Sequence, residues 1–143
     1  MLICSAGGHS TELQYALEGV DLSKFNKQVF VSYNNFMADK YQYEYLLNPG
    51  RSLSKLLICS IHSLRLFWKY RPKVLISSGA SIAVPMLLIS FLFRRKIIFL
   101  ESLAFIDEPT WTGRIAYKIS SLFIIQNREL LRFYPKATLG RIL

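Results

Sequence analysis

The chain has 143 residues, 52% of them hydrophobic, with 18 Lys and Arg against 9 Asp and Glu for a net charge of +9. That length suits one domain, residues 1–143, able to bury a core without help from metal or disulfides. A mean hydropathy of +0.27 is high for a soluble domain, yet a membrane span is excluded. The longest apolar run, Ile82 to Phe93, is stopped by Arg94, Arg95 and Lys96, well short of the roughly 20 residues a bilayer requires. The basic excess calls for a polyanionic partner. With so apolar a chain and none of the nucleic-acid fold signatures, an anionic membrane surface and phosphate-bearing substrates are expected, and no nucleic acid. Cys4 and Cys59 lie in separate apolar runs, as buried free thiols do, so no metal site is expected. Met1 leads straight into an apolar strand, with no signal peptide in view.

Leu2 to Ala6 is an apolar run ending at Gly7-Gly8, the pattern of a buried strand entering a tight turn. Thr11 with Gln14 has capping-box spacing, and Leu13, Ala16, Leu17 and Val20 continue at helical intervals towards Leu22. Lys27 to Tyr33 is β-branched and aromatic, a second strand. Asn34 to Asn48 shows little periodicity. From Ser52 or Ser54 a long helix runs through Leu57, Ile61, Leu64 and Trp68 to Pro72. Its apolar face suits either a core or a membrane, and Lys55, Arg65, Lys69, Arg71 and Lys73 around it suit anionic headgroups. Lys73 to Ser78 reads as a strand ending at Gly79, and Ala83 to Phe93 as a buried helix with Pro85 in its first turn. Ile97 to Leu100 is a strand ending at Glu101-Ser102. Thr112 caps a helix to Ile119, Leu122 to Gln126 is a strand, and Glu129 to Tyr134 is a helical turn before Pro135. Continuously apolar strands alternating with helices predict an α/β fold: an open, mostly parallel Rossmann-like sheet with helices on both faces.

Ligands of such sheets sit beyond the carboxyl ends of the strands, where this chain places polar clusters: Ser5 to Ser10, Ser77 to Ser81, and Glu101-Ser102. Gly7 and Gly8 let the backbone approach a ligand, and the helix start behind them offers free N–H groups to a phosphate. Neither the full dinucleotide fingerprint nor a P-loop is present. His9 is either a general base or a capping residue of the turn. Ser78, Gly79 and Ser81 leave room either for a ligand or for close packing. Glu101, directly after an apolar strand, must be paired, held by backbone N–H groups or used on a substrate. His62, in the long helix beside Arg65, reads as a face residue.

These clusters are ordered as Ser-Ala-Gly-Gly-His-Ser-Thr-Glu-Leu (5–13), Pro-Lys-Val-Leu-Ile-Ser-Ser-Gly-Ala-Ser-Ile-Ala-Val-Pro (72–85), Ile-Ile-Phe-Leu-Glu-Ser (97–102) and a tail at 122–137. In that order they resemble the Alg-fourteen/PssD family of oligosaccharide-biosynthesis proteins, similar to the N-terminal half of MurG-like GT-B glycosyltransferases. The resemblance implies one half of a split GT-B enzyme without a cofactor of its own. A separate GT-B C-terminal-half subunit would bind the UDP-sugar, while this half faces a polyprenyl-diphosphate-linked sugar acceptor at the cytoplasmic face of the membrane. It implies Gly7, Gly8 and His9 as the acceptor-diphosphate loop, with His9 as general base, and Gly79 and Glu101 as residues shaping the inter-domain cleft; His9 and Glu101 are the expected catalytic positions. The strand-end clusters add Ser10, Ser78, Ser81 and Ser102 to Gly7, Gly8 and Gly79 as expected acceptor- and phosphate-binding positions, and the resemblance puts the tail with Phe133, Tyr134 and Leu143 near the partner interface. Eukaryotic members begin with a membrane anchor that this sequence lacks, which implies a bacterial-type peripheral member or a truncated start. Two other readings stand beside it. One is a non-catalytic scaffold that anchors and activates a catalytic partner, and the other is a stand-alone nucleotide-binding domain. Against the latter, Ser32 to Asn35 puts no acidic residue at the end of the second strand.

Overall fold

A computed structural model describes residues 1–25, 27–35, 37 and 39–140. Its strands are β1 (Leu2–Cys4), β2 (Val29–Ser32), β3 (Gln42–Tyr45), β4 (Val74–Gly79), β5 (Lys96–Leu100), β6 (Leu122–Ile125) and β7 (Thr138–Leu139). All pair in parallel, in the order β3-β2-β1-β4-β5-β6-β7. The helices are α1 (Gly8–Leu17), α2 (Leu53–Tyr70), α3 (Val84–Leu92) and α4 (Trp111–Ile119). This is the expected Rossmann-like sheet, and the strand order reverses direction between β1 and β4, where such folds open a crevice.

Alternation along the strands builds two cores. Ile3, Val29, Val31, Leu75, Ile97, Phe99 and Phe123 point to the face covered by α2, α3 and α4. Leu2, Cys4 and Phe30 point to the other face, where Leu13 of α1 meets them. Consecutive residues of one strand therefore serve opposite cores, which is why the strands are apolar throughout rather than alternating.

Several boundaries differ from the expectation. α1 starts at Gly8, capped by Gly7 rather than Thr11, and ends at Leu17 rather than near Leu22. Thr11 lies inside the helix, where its hydroxyl donates back to the Gly7 carbonyl at 3.4 Å. The turn at Gly7 (φ 87°) starts the helix before the capping-box spacing is reached. α4 is capped by Thr110, whose hydroxyl accepts from Gly113 N at 2.7 Å; Thr112 is helical. α2 follows the expectation, with Ser52 as its cap and Arg71 in the left-handed region (φ 43°) before Pro72. β3 lies in the stretch that showed no periodicity, and β7 falls beyond the last expected turn.

The long helix carries two apolar stripes. Cys59, Ser63, Leu66 and Phe67 are buried, whereas Leu57, Ile61, Leu64 and Trp68, at helical spacing on the other side, are exposed. α3 is buried on one side: Val84 to Leu87 and Ser90 are inside, whereas Leu88, Phe91 and Leu92 face out. Among the described residues no helix is long and apolar enough to cross a membrane.

Candidate functional site

The β1–α1 turn and the end of β4 meet at the strand-order reversal. Gly7 and Gly8 are exposed there, and a Cβ added to either would meet nothing within 4 Å. Ser10 is buried, its hydroxyl donating to the Gly7 carbonyl at 2.5 Å, so it holds the turn rather than presenting a free hydroxyl. Ser78 is buried as well and donates to the His9 carbonyl at 2.6 Å, tying β4 to the first turn of α1. Burial pushes the Cys4 thiol up to about 12, partly offset by its hydrogen bond with Ser78, so it stays a neutral core group.

Gly79 (φ 104°) and Ala80 (φ 66°) turn the chain sharply out of β4. A Cβ at Gly79 would stand 3.3 Å from the Phe99 ring and 3.7 Å from His9 Cε1. Glycine is thus required by conformation, and the close approach places the His9 imidazole over the end of β4. His9 is half-buried, and its Nδ1 is buried with no hydrogen-bond partner among the described residues. Ser81 is half-buried in the 3₁₀ turn (Ser81–Ala83) that follows.

The β5–α4 corner is built differently. Glu101 is only 1% exposed. Its Oε1 accepts from Ser102 N at 3.2 Å and from the Thr110 hydroxyl at 2.8 Å, and its Oε2 accepts from the Tyr134 hydroxyl at 3.0 Å. Burial, and then the charge and hydrogen bond of Glu101, push Tyr134 above the ordinary tyrosine range, so the phenol remains a donor. Gly113 closes the corner, because a Cβ there would stand 1.7 Å from Glu101 Oε2. Glu101 thus has both carboxylate oxygens engaged and braces the loop, and Tyr134, 2% exposed, packs in the core. Phe133 is exposed, with the Arg132 guanidinium 4.8 Å above its ring; Leu143 lies outside the described residues.

Ser102 joins the two regions. It is buried, and its hydroxyl donates to Glu12 Oε1 at 2.9 Å, while Leu103 N donates to the same oxygen at 3.1 Å. Glu12 had no assigned role in the sequence. Its signal was the three-residue spacing from His9, which puts both on one face of α1. The opposite end of the sheet carries a cavity of about 280 Å³ lined by Lys24, Lys27, Arg71 and Lys73 among apolar residues. It lies at the amino ends of β1, β2 and β4, away from the strand-end clusters.

A family model described as "Oligosaccharide biosynthesis protein Alg14 like" matches residues 47–142. The chain is 28% identical to the UDP-N-acetylglucosamine transferase subunit ALG14 of Candida albicans, covering 94% of this chain and 73% of that protein. Identity to the same subunit of Debaryomyces hansenii is 26%, over 96% of this chain and 72% of that one. Among solved structures it resembles MurG of Acinetobacter baumannii, with a TM-score of 0.69 and 11% identity over 90% of this chain. It also resembles the UDP-GlcNAc 2-epimerase of Methanocaldococcus jannaschii, with a TM-score of 0.66 and 13% identity over 96% of this chain. At such identities these likenesses show the fold alone, and the chain spans only 42% and 44% of the two structures.

Proposed function

The chain belongs to the Alg14-like family of oligosaccharide biosynthesis proteins, and from that premise we propose that it is the acceptor-binding subunit of a two-component, UDP-sugar-dependent glycosyltransferase. A polyprenyl-diphosphate-linked saccharide of surface-polysaccharide or lipid-linked oligosaccharide synthesis is its acceptor. A GT-B C-terminal-half subunit supplies the UDP-sugar. The observation that carries this reading is the open β1–α1 turn at the strand-order reversal. Gly7 and Gly8 leave space for a diphosphate against the start of α1, and His9 stands beside them over Gly79.

In this mechanism the acceptor diphosphate rests on the Gly7–Gly8 backbone, and His9 takes the proton of the attacking hydroxyl as it displaces UDP with inversion. Glu101 holds the β5–α4 loop in place through Thr110 and Tyr134. Phe133 and the chain beyond it contribute to the partner interface.

Peripheral attachment to the cytoplasmic face of the membrane is supported by the outward stripe of α2 and the outer face of α3. Leu57, Ile61 and Trp68 are 64%, 60% and 51% exposed, and Leu92 is 74% exposed. Lys55, Arg65, Lys69 and Arg94 are exposed around them, an arrangement that suits anionic headgroups around an apolar centre.

The test is transfer of radiolabelled sugar to lipid acceptor in membranes holding this chain, a GT-B C-terminal-half subunit, or both. Transfer only with both together, abolished by His9→Ala while the subunits still associate, is the expected result. Full transfer by the other subunit alone would reduce this chain to a scaffold. UDP-sugar binding by this chain alone would make it a nucleotide-binding domain instead.

A further inference from the structure

Among the described residues, His9 Nδ1 and Glu12 Oε2, near the proposed acceptor site, are buried and have no hydrogen-bond partner. They are chemically complementary, since an imidazole nitrogen donates when it carries the proton and a carboxylate oxygen only accepts. They also share one helix face, three residues apart in α1, where Cβ atoms stand about 5–6 Å from each other. A bare buried carboxylate oxygen is costly in a folded protein and points to a partner gained in use.

The surroundings hold both residues in place. Glu12 Oε1 is fixed by the Ser102 hydroxyl at 2.9 Å and by Leu103 N at 3.1 Å, leaving Oε2 as the spare oxygen. The His9 backbone is anchored by Ser78 at 2.6 Å, and its ring lies beside Gly79. The terminal torsion of an imidazole is broad and roughly two-fold, so the ring's orientation is set by what its nitrogens meet. Glu101 cannot take this part, because both of its oxygens are already engaged.

We propose that Glu12 is the positioning residue of His9. Its Oε2 accepts the Nδ1–H, which fixes the neutral imidazole as the Nδ1–H tautomer and leaves Nε2 bare on the acceptor side. This rests on the reading of His9 as general base. The hydroxyl proton passes to Nε2 while the hydroxyl oxygen bonds to the anomeric carbon, and the bond to the nucleoside diphosphate breaks with its electron pair. The resulting imidazolium is stabilised by the Glu12 carboxylate until the proton is released to solvent.

Long-range 1H–15N correlation spectra of the 15N-labelled full chain read the tautomer directly. His62 is exposed and is the only other histidine, so it serves as the internal reference for a solvated imidazole. The expected result is Nδ1–H at His9 and the solvent-preferred Nε2–H at His62. Glu12→Gln, whose amide oxygen still accepts from Ser102 and Leu103, returns His9 to Nε2–H. In the two-subunit assay the same variant lowers kcat by at least about tenfold with the acceptor KM nearly unchanged. An Nε2–H tautomer at His9 in the wild-type chain overturns the proposal, whether or not Glu12→Gln folds. So does a tautomer that Glu12→Gln leaves unmoved. Full transfer by His9→Gln alongside the Nδ1–H tautomer overturns instead the general-base reading on which the proposal stands. A His9-dependent transfer with the Nε2–H tautomer removes Glu12 alone.

Discussion

The β1–α1 turn and the β5–α4 corner lie at the same end of one sheet, and each has a carboxylate beside it, Glu12 and Glu101. In the corner, every oxygen of Glu101 is matched by a donor, and Gly113 is packed so closely that no Cβ fits. In the turn, Gly7 and Gly8 face open space, and polar atoms of His9 and Glu12 remain unmatched. The contrast separates two uses of a buried polar group. A satisfied network fixes geometry, whereas an unsatisfied one at an open turn retains binding capacity for something that arrives later.

The largest effect should follow from Gly113→Ala. The new Cβ falls 1.7 Å from Glu101 Oε2, so the carboxylate must leave its three donors or α4 must shift. A loss of about 3 kcal/mol or more is expected in urea unfolding. A variant as stable as the wild type would show that the corner is not tightly closed. Tyr134→Phe keeps the ring packed against Tyr117 and Phe123, at centroid distances of 4.9 and 4.7 Å, but leaves Glu101 Oε2 bare. It should cost about 1–3 kcal/mol, read by the same titration.

A smaller effect is expected from the buried thiols. Burial pushes Cys4 up to about 12 and Cys59 up to about 11, from an ordinary 9.0. Thiols that ionise more readily in the unfolded chain stabilise the fold fully below pH 9.0, and that contribution is lost as pH rises through their folded values. Wild-type stability should therefore fall more steeply than that of Cys4→Ala between about pH 9 and 11; parallel curves would count against the burial of Cys4. Gly8→Ala should change stability least, by within about 0.5 kcal/mol, because the methyl meets nothing. Its transfer activity should nevertheless fall at least about tenfold if the acceptor diphosphate lies against that backbone. Unchanged activity would remove Gly8 from the site.

Much of the fold was legible because parallel strands covered on both faces are continuous apolar runs. β1, β2, β4, β5 and β6 were each found within a residue or two of their ends. β3 escaped because an edge strand bearing Gln42, Tyr43, Glu44 and Tyr45 has neither alternation nor an apolar run. It is held by β2 and by Glu44, which accepts from Lys69 at 2.6 Å and also from Tyr70. β7 is two exposed residues whose only mark is pairing with β6. Thr11 and Thr112 were misread as caps because cap spacing is a local pattern, whereas Gly7 and Thr110 were selected by where the preceding turn delivers the chain.

The sequence by itself determined the alternation of strand and helix, the polar clusters at strand ends and the basic, apolar character of the chain, since these depend on residue type and short-range spacing. Tertiary structure alone decided which stripe of α2 faces inward, that Glu101 is held by Thr110 and Tyr134, and that Glu12 stands with His9 and Ser102. Those outcomes depend on contacts between residues up to 91 positions apart, and no local pattern carries the geometry of partners that only the sheet brings together.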